Sequence, residues 1–301
     1  MKLFATTTVL VFGISSACFG ETEVTFDRQG DQITVNIGDA PFAVYNTSKQ
    51  LPKPFFSPVR DANGTIISRP LENPEDHKHH KGIWVSIDEV NGIKFWAEDG
   101  KIENVSAETH DSRNGSPARL DVVNHWLGTD GKPAVIETTA IAIFPNRLMT
   151  YDIVFTSPEG PATFGDTKEG LFGFRMINSM REKETGKVVN AEGKQGTEEC
   201  WGVPSAWVDY YGEADGKITG VTLMDHPDNF RPSRYHVRNY GLFSISPFGE
   251  KAYSKGASDA EPVVLEKGES LRLRYGLYIH SGDTLEGKVA EAYKQFVSAT
   301  K

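Results

Sequence analysis

Short runs in which apolar and polar residues alternate recur along most of the chain, and turn-forming pairs separate them. A period of two places successive side chains on opposite faces of a strand, so each run reads as a half-buried strand. Residues 24–26 and 33–37 alternate in this way across a turn at Gly30-Asp31. Residues 42–45, 83–87 and 93–96 continue the pattern, and the longer segments 118–126, 134–144 and 149–156 are rich in Val, Ile and Thr. Residues 172–177, 206–211, 219–224, 241–245 and 271–279 complete the set. Asn63-Gly64, Asn91-Gly92, Asp99-Gly100, Asp130-Gly131 and Asp215-Gly216 supply turns. One helix is expected, over residues 284–298, because Leu285, Val289, Ala292 and Phe296 fall on one helical face. Ser281 and Asp283 stand ready as caps. Many strands and one helix predict an all-β fold: a large antiparallel β-sandwich with a C-terminal helix. The strand count exceeds the seven to nine of an ordinary sandwich, which points to a supersandwich.

The first twenty residues differ from the rest. Lys2 gives a positive start, residues 3–12 are mostly apolar, and Ser15, Ser16, Ala17, Cys18 and Gly20 form a small-residue region. That layout predicts a signal peptide over 1–20, removed on export, followed by a single domain over 21–301. Ser-Ser-Ala-Cys at 15–18 also resembles a degenerate lipoprotein signal with Cys18 lipidated. Ser15 stands where such signals carry an apolar residue, so ordinary cleavage is the preferred expectation. The protein is thus expected in the periplasm or secreted. No later segment is apolar enough to span a bilayer.

Cys200 is then the one cysteine of the body, so no intrachain disulfide is expected. Its neighbours make it a small buried hydrophobe rather than a reactive thiol. The formal charge of −9, or −10 once Lys2 is lost, argues against nucleic acid and anionic membranes as partners.

Polar residues that sheets do not need gather in four segments. The first holds Arg69-Pro70 and Asp76-His77-Lys78-His79-His80, three histidines in four positions out of eight in the chain. In an extended segment His77 and His79 point one way and His80 the other, as metal ligands or as hydrogen-bonding groups. A solvated polar loop is the plainer alternative. The second runs from Gly165 through Asp166, Lys168 and Glu169 to the strand carrying Arg175, and offers a carboxylate for proton transfer or a charged hairpin turn. The third, from Glu198 through Trp201 to Trp207, Asp209, Tyr210 and Tyr211, offers aromatic faces for a sugar ring or for the core. The fourth is the densest. Residues 225–240 hold His226, Asn229, Arg231, Arg234, His236, Arg238 and Tyr240 among prolines and aromatics, the composition of a pocket wall.

At these segments the chain resembles the PmoA-like domain family, often labelled methane oxygenase. The resemblance is carried by Arg69-Pro70, Asp76-His77-Lys78-His79-His80, Trp84, Asn91-Gly92 and Phe95-Trp96, with Asp225-His226-Pro227-Asp228-Asn229 and Arg231-Pro232 later. It covers about residues 40–280. A subunit of the membrane-embedded oxygenase would need membrane spans that this sequence lacks, so the label is set aside. The resemblance implies a galactose-mutarotase-like fold and a carbohydrate-linked role.

The expected function is an exported carbohydrate-active enzyme acting on a sugar, glycoside or keto-sugar by His and carboxylate acid–base chemistry: hydrolysis, elimination or epimerisation. The candidate catalytic residues are His79, His80, His226, His236 and Glu169. The candidate substrate-binding residues are Arg69, Asp166, Lys168, Arg175, Trp207, Asp209, Asn229, Arg231, Arg238 and Tyr240. No cofactor is firmly implied. A divalent metal on His77, His79 and His226 is one alternative, and a non-catalytic glycan-binding protein is the other.

Overall fold

The computed structural model describes residues 22–72, 74–113 and 115–300. The expected signal segment and Cys18 lie outside the described residues. Strands β1 (Val24–Gln29), β2 (Gln32–Ile37), β3 (Ala40–Asn46), β4 (Phe55–Val59) and β5 (Ile83–Val85) come first. Three short or polar strands follow: β6 (Asp88–Val90), β7 (Ile93–Lys94) and β8 (Lys101–His110). Then come β9 (Ala118–Leu127), β10 (Pro133–Ile143), β11 (Leu148–Thr156), β12 (Ala162–Phe164), β13 (Phe172–Arg175) and β14 (Lys187–Asn190). A short helix α1 (Gly196–Cys200) leads to β15 (Trp207–Ala214), β16 (Lys217–Asp225), β17 (Arg234–Val237) and β18 (Leu242–Ser246). A single turn, α2 (Glu250–Tyr253), precedes β19 (Val263–Leu265), β20 (Ser270–Ser281) and α3 (Val289–Ala299).

These strands make two eight-stranded antiparallel sheets and a small four-stranded one. The first runs β1-β2-β3-β4-β5-β13-β18-β17 and the second β14-β15-β16-β20-β11-β10-β9-β8. They pack face to face, as the aromatic contacts across the gap show: Tyr151 lies 4.4 Å from Phe172, and Tyr210 lies 6.1 Å from Phe243. The expected large antiparallel β-sandwich with a C-terminal helix is the fold observed. Among the described residues no helix is long and apolar enough to cross a membrane.

The alternation in sequence becomes two-sidedness in space. In the first sheet Ile83, Phe172, Phe174, Tyr235, Val237, Phe243 and Ile245 point into the main core. Trp84, Gly173, Arg175, Leu242, Ser244 and His236 therefore occupy the outer face. In the second sheet Leu223, Tyr275 and Leu277 face inward, and Met224 and Tyr278 face outward, where α3 covers them with Ala292 and Phe296.

The C-terminal helix is shorter than expected. Lys288 adopts a left-handed conformation (φ 51°), so regular helix starts at Val289, and Leu285 is 86% exposed rather than part of the apolar face. The polar strand β8 was not expected, because an edge strand has little of its surface to bury and shows no clean alternation. Cys200 is buried, its thiol pushed up to about 11 by burial, consistent with an inert core residue.

Candidate functional site

The outer face of the first sheet carries the chemistry. Three pairings line up one row across four strands: Trp84 opposite Gly173, Gly173 opposite Ser244, and Ser244 opposite His236. Gly173 is needed there, since a Cβ would lie 2.9 Å from Trp84 and 3.0 Å from Trp96. The indoles of Trp84 and Trp96 pack 4.8 Å apart over that gap. Trp84 Nε1, Ser244 Oγ and His236 Nδ1, all buried in this row, have no hydrogen-bond partner among the described residues. Buried polar atoms are normally paired, so three in one row set this stretch of the sheet apart from an ordinary core layer.

The segment 69–80 folds over this row. Arg69 holds it by donating to the carbonyls of His77 and His80, at 2.8 and 3.2 Å, and by pairing with Asp76. Arg175, at the end of β13 and 1% exposed, reaches the same carboxylate from below. Its other terminal nitrogen lies 3.2 Å from His80 Nδ1. A guanidinium only donates, so His80 Nδ1 accepts and the ring carries its proton on Nε2. Burial, together with His79 and Arg175, holds His80 far below the ordinary histidine value.

His77 has φ 37°, a left-handed conformation uncommon outside glycine, and its ring is thereby turned inward. It stacks on His80 at 4.8 Å and on Tyr240 at 5.1 Å, both nearly parallel. With His80 stacked on Trp84 at 5.5 Å, the four rings form one column. Arg175 and Arg238 lie against the Tyr240 ring, 4.8 and 5.7 Å from its centre.

Lys53 supports the segment from beneath. It is 1% exposed, donates to the carbonyls of His79 and Trp96, and pairs with Glu98 at 2.7 Å. Burial pulls its ammonium down to about 8, with Glu98 opposing. Burial and the Lys53 charge bring His79 to about 4. Burial, then Arg238 and Lys168, bring His236 to about 3. All three imidazoles are neutral at pH 7.

Glu169 is the titratable carboxylate of the opposite rim. It is held by the turn after Lys168 and shifted upward, first by burial and then by Asp88, while Lys168, Arg238 and His77 oppose. Trp201 closes that side, edge-on to His236 at 6.1 Å and to Tyr253 at 5.2 Å. Two hollows open beside the column. One of about 310 Å³ is lined by Arg69, Asp76 and Arg175, and one of about 340 Å³ by Trp201, Arg238 and Glu198.

The fold thus brings together Arg69, His79, His80, Lys168, Glu169, Arg175, His236, Arg238 and Tyr240. Six other candidates are placed elsewhere. Trp207 and Asp209 project from β15 on the outer face of the second sheet, so both sheets separate them from the site. Trp207 packs against the α3 cluster, and Asp209 accepts from Thr222, His280 and Thr284. His226 follows β16 on that same side, edge-on to Phe296 at 5.5 Å, and accepts from the Asp228 amide at 3.1 Å. Asn229 ties its loop to Asp225 and to both backbone groups of Arg274. Asp166 accepts from the Lys251 and Ala252 amides at α2, and Arg231 donates to the Pro247 carbonyl. These six hold loops and strands together away from the ring column. The density of polar residues in 225–240 reflects a tight loop as much as a pocket.

With His226 on the far side, the metal set His77, His79 and His226 does not assemble. Among the described residues no group of three or more His, Cys, Asp or Glu is arranged to hold a metal ion. The sequence reading passed over Lys53, Trp84 and Trp96 as site residues. A lysine between prolines in Leu-Pro-Lys-Pro-Phe-Phe, with no polar company, was the available signal for the first.

The chain belongs to the family of unknown function DUF6807, whose profile matches residues 32–294. No protein of curated function matches the sequence. Among solved structures it is similar to a galactose 1-epimerase from Lactobacillus acidophilus, with 9% identity and a TM-score of 0.41, over 88% of this chain and 100% of that one. An aldose epimerase homologue from C. elegans gives 8% and 0.38, over 88% and 99%. An α-galactosidase from Geobacillus stearothermophilus gives 11% and 0.41, over 91% of this chain but only 43% of that one. At such low identity and overlap these likenesses carry nothing about chemistry.

Proposed function

We propose that this protein is an exported carbohydrate-active enzyme whose site is the outer face of the first sheet, with Glu169 as the proton-transfer group. The observation that carries this reading is the placing of an upward-shifted carboxylate beside an aromatic column and the guanidinium of Arg238, next to a hollow walled by Trp201. Aromatic faces suit the apolar side of a sugar ring, and planar donors suit its hydroxyls.

Acid–base work falls to Glu169 rather than to a histidine. A catalytic acid or base works best with a pKa near the working pH. Burial moves Glu169 toward that range, whereas it moves His79 and His236 away from it. A neutral imidazole still orients hydroxyls, and His79 and His236 are assigned that role. His80, with Nδ1 committed to Arg175, is assigned to support the column. The export reading rests on the pattern of residues 1–20.

The test is to incubate the purified protein with glycosides and 3-keto-glycosides, with and without chelator, and to identify products by mass spectrometry. Conversion that falls about 100-fold or more in Glu169→Gln supports the assignment. Conversion equal to wild type in that variant sinks it. Binding of sugars with no conversion at all would make the protein a glycan-binding module instead.

A further inference from the structure

The chain is acidic overall, at −9, yet its site face gathers cations. Arg69 and Arg175 share the single carboxylate of Asp76. Lys168 has only a distant contact with Glu169, 3.9 Å, and its side chain is 47% exposed. Arg238 is exposed, rests against Tyr240, and forms no ion pair among the described residues. The acids around these four cations are Asp76, Glu169 with Asp88 behind it, and Glu72 and Glu75 on the rim of the hollow lined by Arg69 and Arg175. Glu198, on the rim of the hollow beside Arg238, is the further acid to be set against them.

The positions of the two least engaged cations matter more than the count. Lys168 comes from the turn before β13 and Arg238 from the turn after β17. Tyr253 donates to the Lys168 carbonyl at 3.0 Å and packs 6.3 Å from His236, while Trp201, 6.1 Å from His236, lines one hollow with Arg238, so both residues adjoin the same end of the row. His236 is 2% exposed, and its Nδ1 has no hydrogen-bond partner among the described residues. Evenly spread surface charge would set neither cation here. A carboxylate, sulfate or phosphate placed between the two would pair with both, and the guanidinium fork matches such groups with paired hydrogen bonds. The adjoining hollow of about 340 Å³, with Trp201 as its wall, is within the size range of small-molecule sites.

We propose that the site selects a sugar bearing an anionic substituent, held by Arg238 and Lys168 beside His236 and Trp201. This rests on the carbohydrate reading above and narrows its substrate class.

Calorimetric titration of the full chain with matched ligands tests it: methyl glucoside, methyl glucuronide, glucose 6-sulfate and glucose 6-phosphate, with inorganic phosphate as control. At least one anionic sugar is expected to bind about tenfold or more tighter than the neutral one, as a charge-assisted contact implies. The advantage should shrink as salt is raised, because the contact is partly exposed. Which anionic sugar gains most identifies the substituent. Arg238→Gln and Lys168→Gln, checked for folding by circular dichroism, should bring the ratio toward one, and Arg238→Lys should restore part of it. Equal affinity for neutral and anionic sugars overturns the proposal while leaving the carbohydrate reading standing. So does a preference that survives both Gln variants, or inorganic phosphate binding as tightly as the sugar phosphate. No binding of any sugar overturns both.

Discussion

Arg175 meets Asp76 with one nitrogen placed almost equally between the two carboxylate oxygens, at 3.0 and 3.1 Å. A residue that ends a central strand is thereby fastened to the loop that covers it. The loop carries every histidine of the ring column, so this contact couples the sheet to the site.

Arg175→Gln should free the 76–80 segment. Removing one member of a buried ion pair costs about 3–5 kcal/mol. Asp76 is 37% exposed and keeps Arg69, so about 2 kcal/mol is expected, measured as a shift in the urea midpoint. A variant as stable as wild type would show that Arg69 alone holds the loop.

Gly82→Ala should be among the most damaging small substitutions in the chain. Gly82 has φ 53°, and a Cβ there would lie 1.9 Å from the Phe56 carbonyl oxygen. Its own carbonyl accepts from the Arg175 amide at 3.0 Å. The left-handed backbone alone costs about 1 kcal/mol or more with alanine, and the clash adds to it by displacing β5. Thermal unfolding by circular dichroism reads the loss; an unchanged Tm would mean that β4 moves away freely.

Stability should fall on acidification, and His236 should account for a measurable share. Its folded value, about 3, lies below the unfolded value of about 6.5, so the unfolded chain takes up the proton first. Its contribution is complete above about pH 6.5 and is lost as pH falls toward 3, by roughly 1 kcal/mol per pH unit. His236→Gln should flatten the dependence by that amount when urea midpoints are compared at pH 7, 6 and 5. Parallel curves for variant and wild type would show that the ring titrates alike in the folded and unfolded chain.

If Glu169 is the proton-transfer group, the acid limb of kcat/KM should lie above the ordinary carboxylate range, because burial raises it. Lys168→Met removes the nearest opposing charge and should move the limb higher still. A limb that stays in place in Lys168→Met assigns the titration to another group.

The two-sidedness of the strands was legible because each inward residue must be apolar, as where Phe172 and Phe174 flank Gly173; β17 was not expected as a strand, although Tyr235 and Val237 flank His236 in the same way. Polar edge strands such as β8 were not, since they bury little. At the site, the segments 69–80 and 165–175 could be read because their charged residues have no role inside a sheet. The segment 225–240 misled, because closeness in sequence says nothing of which sheet face a residue joins. His226 ends β16 on one side of the molecule, and His236 sits in β17 on the other. Asp209 was chosen for its aromatic neighbours, yet alternation along β15 sets it on the α3 side. Lys53 stayed hidden because its partners, Glu98 and the carbonyls of His79 and Trp96, come from distant parts of the chain.

The indole pair under the ring column gives the molecule a built-in optical gauge. Trp84 and Trp96 stand 4.8 Å apart, and His80 touches both, at 5.5 and 5.7 Å. Indoles packed this closely couple their electronic transitions, and their emission responds to the groups that pack on them. Any movement of the covering segment therefore changes the light this face absorbs and emits, so that occupancy can be followed in the unlabelled protein.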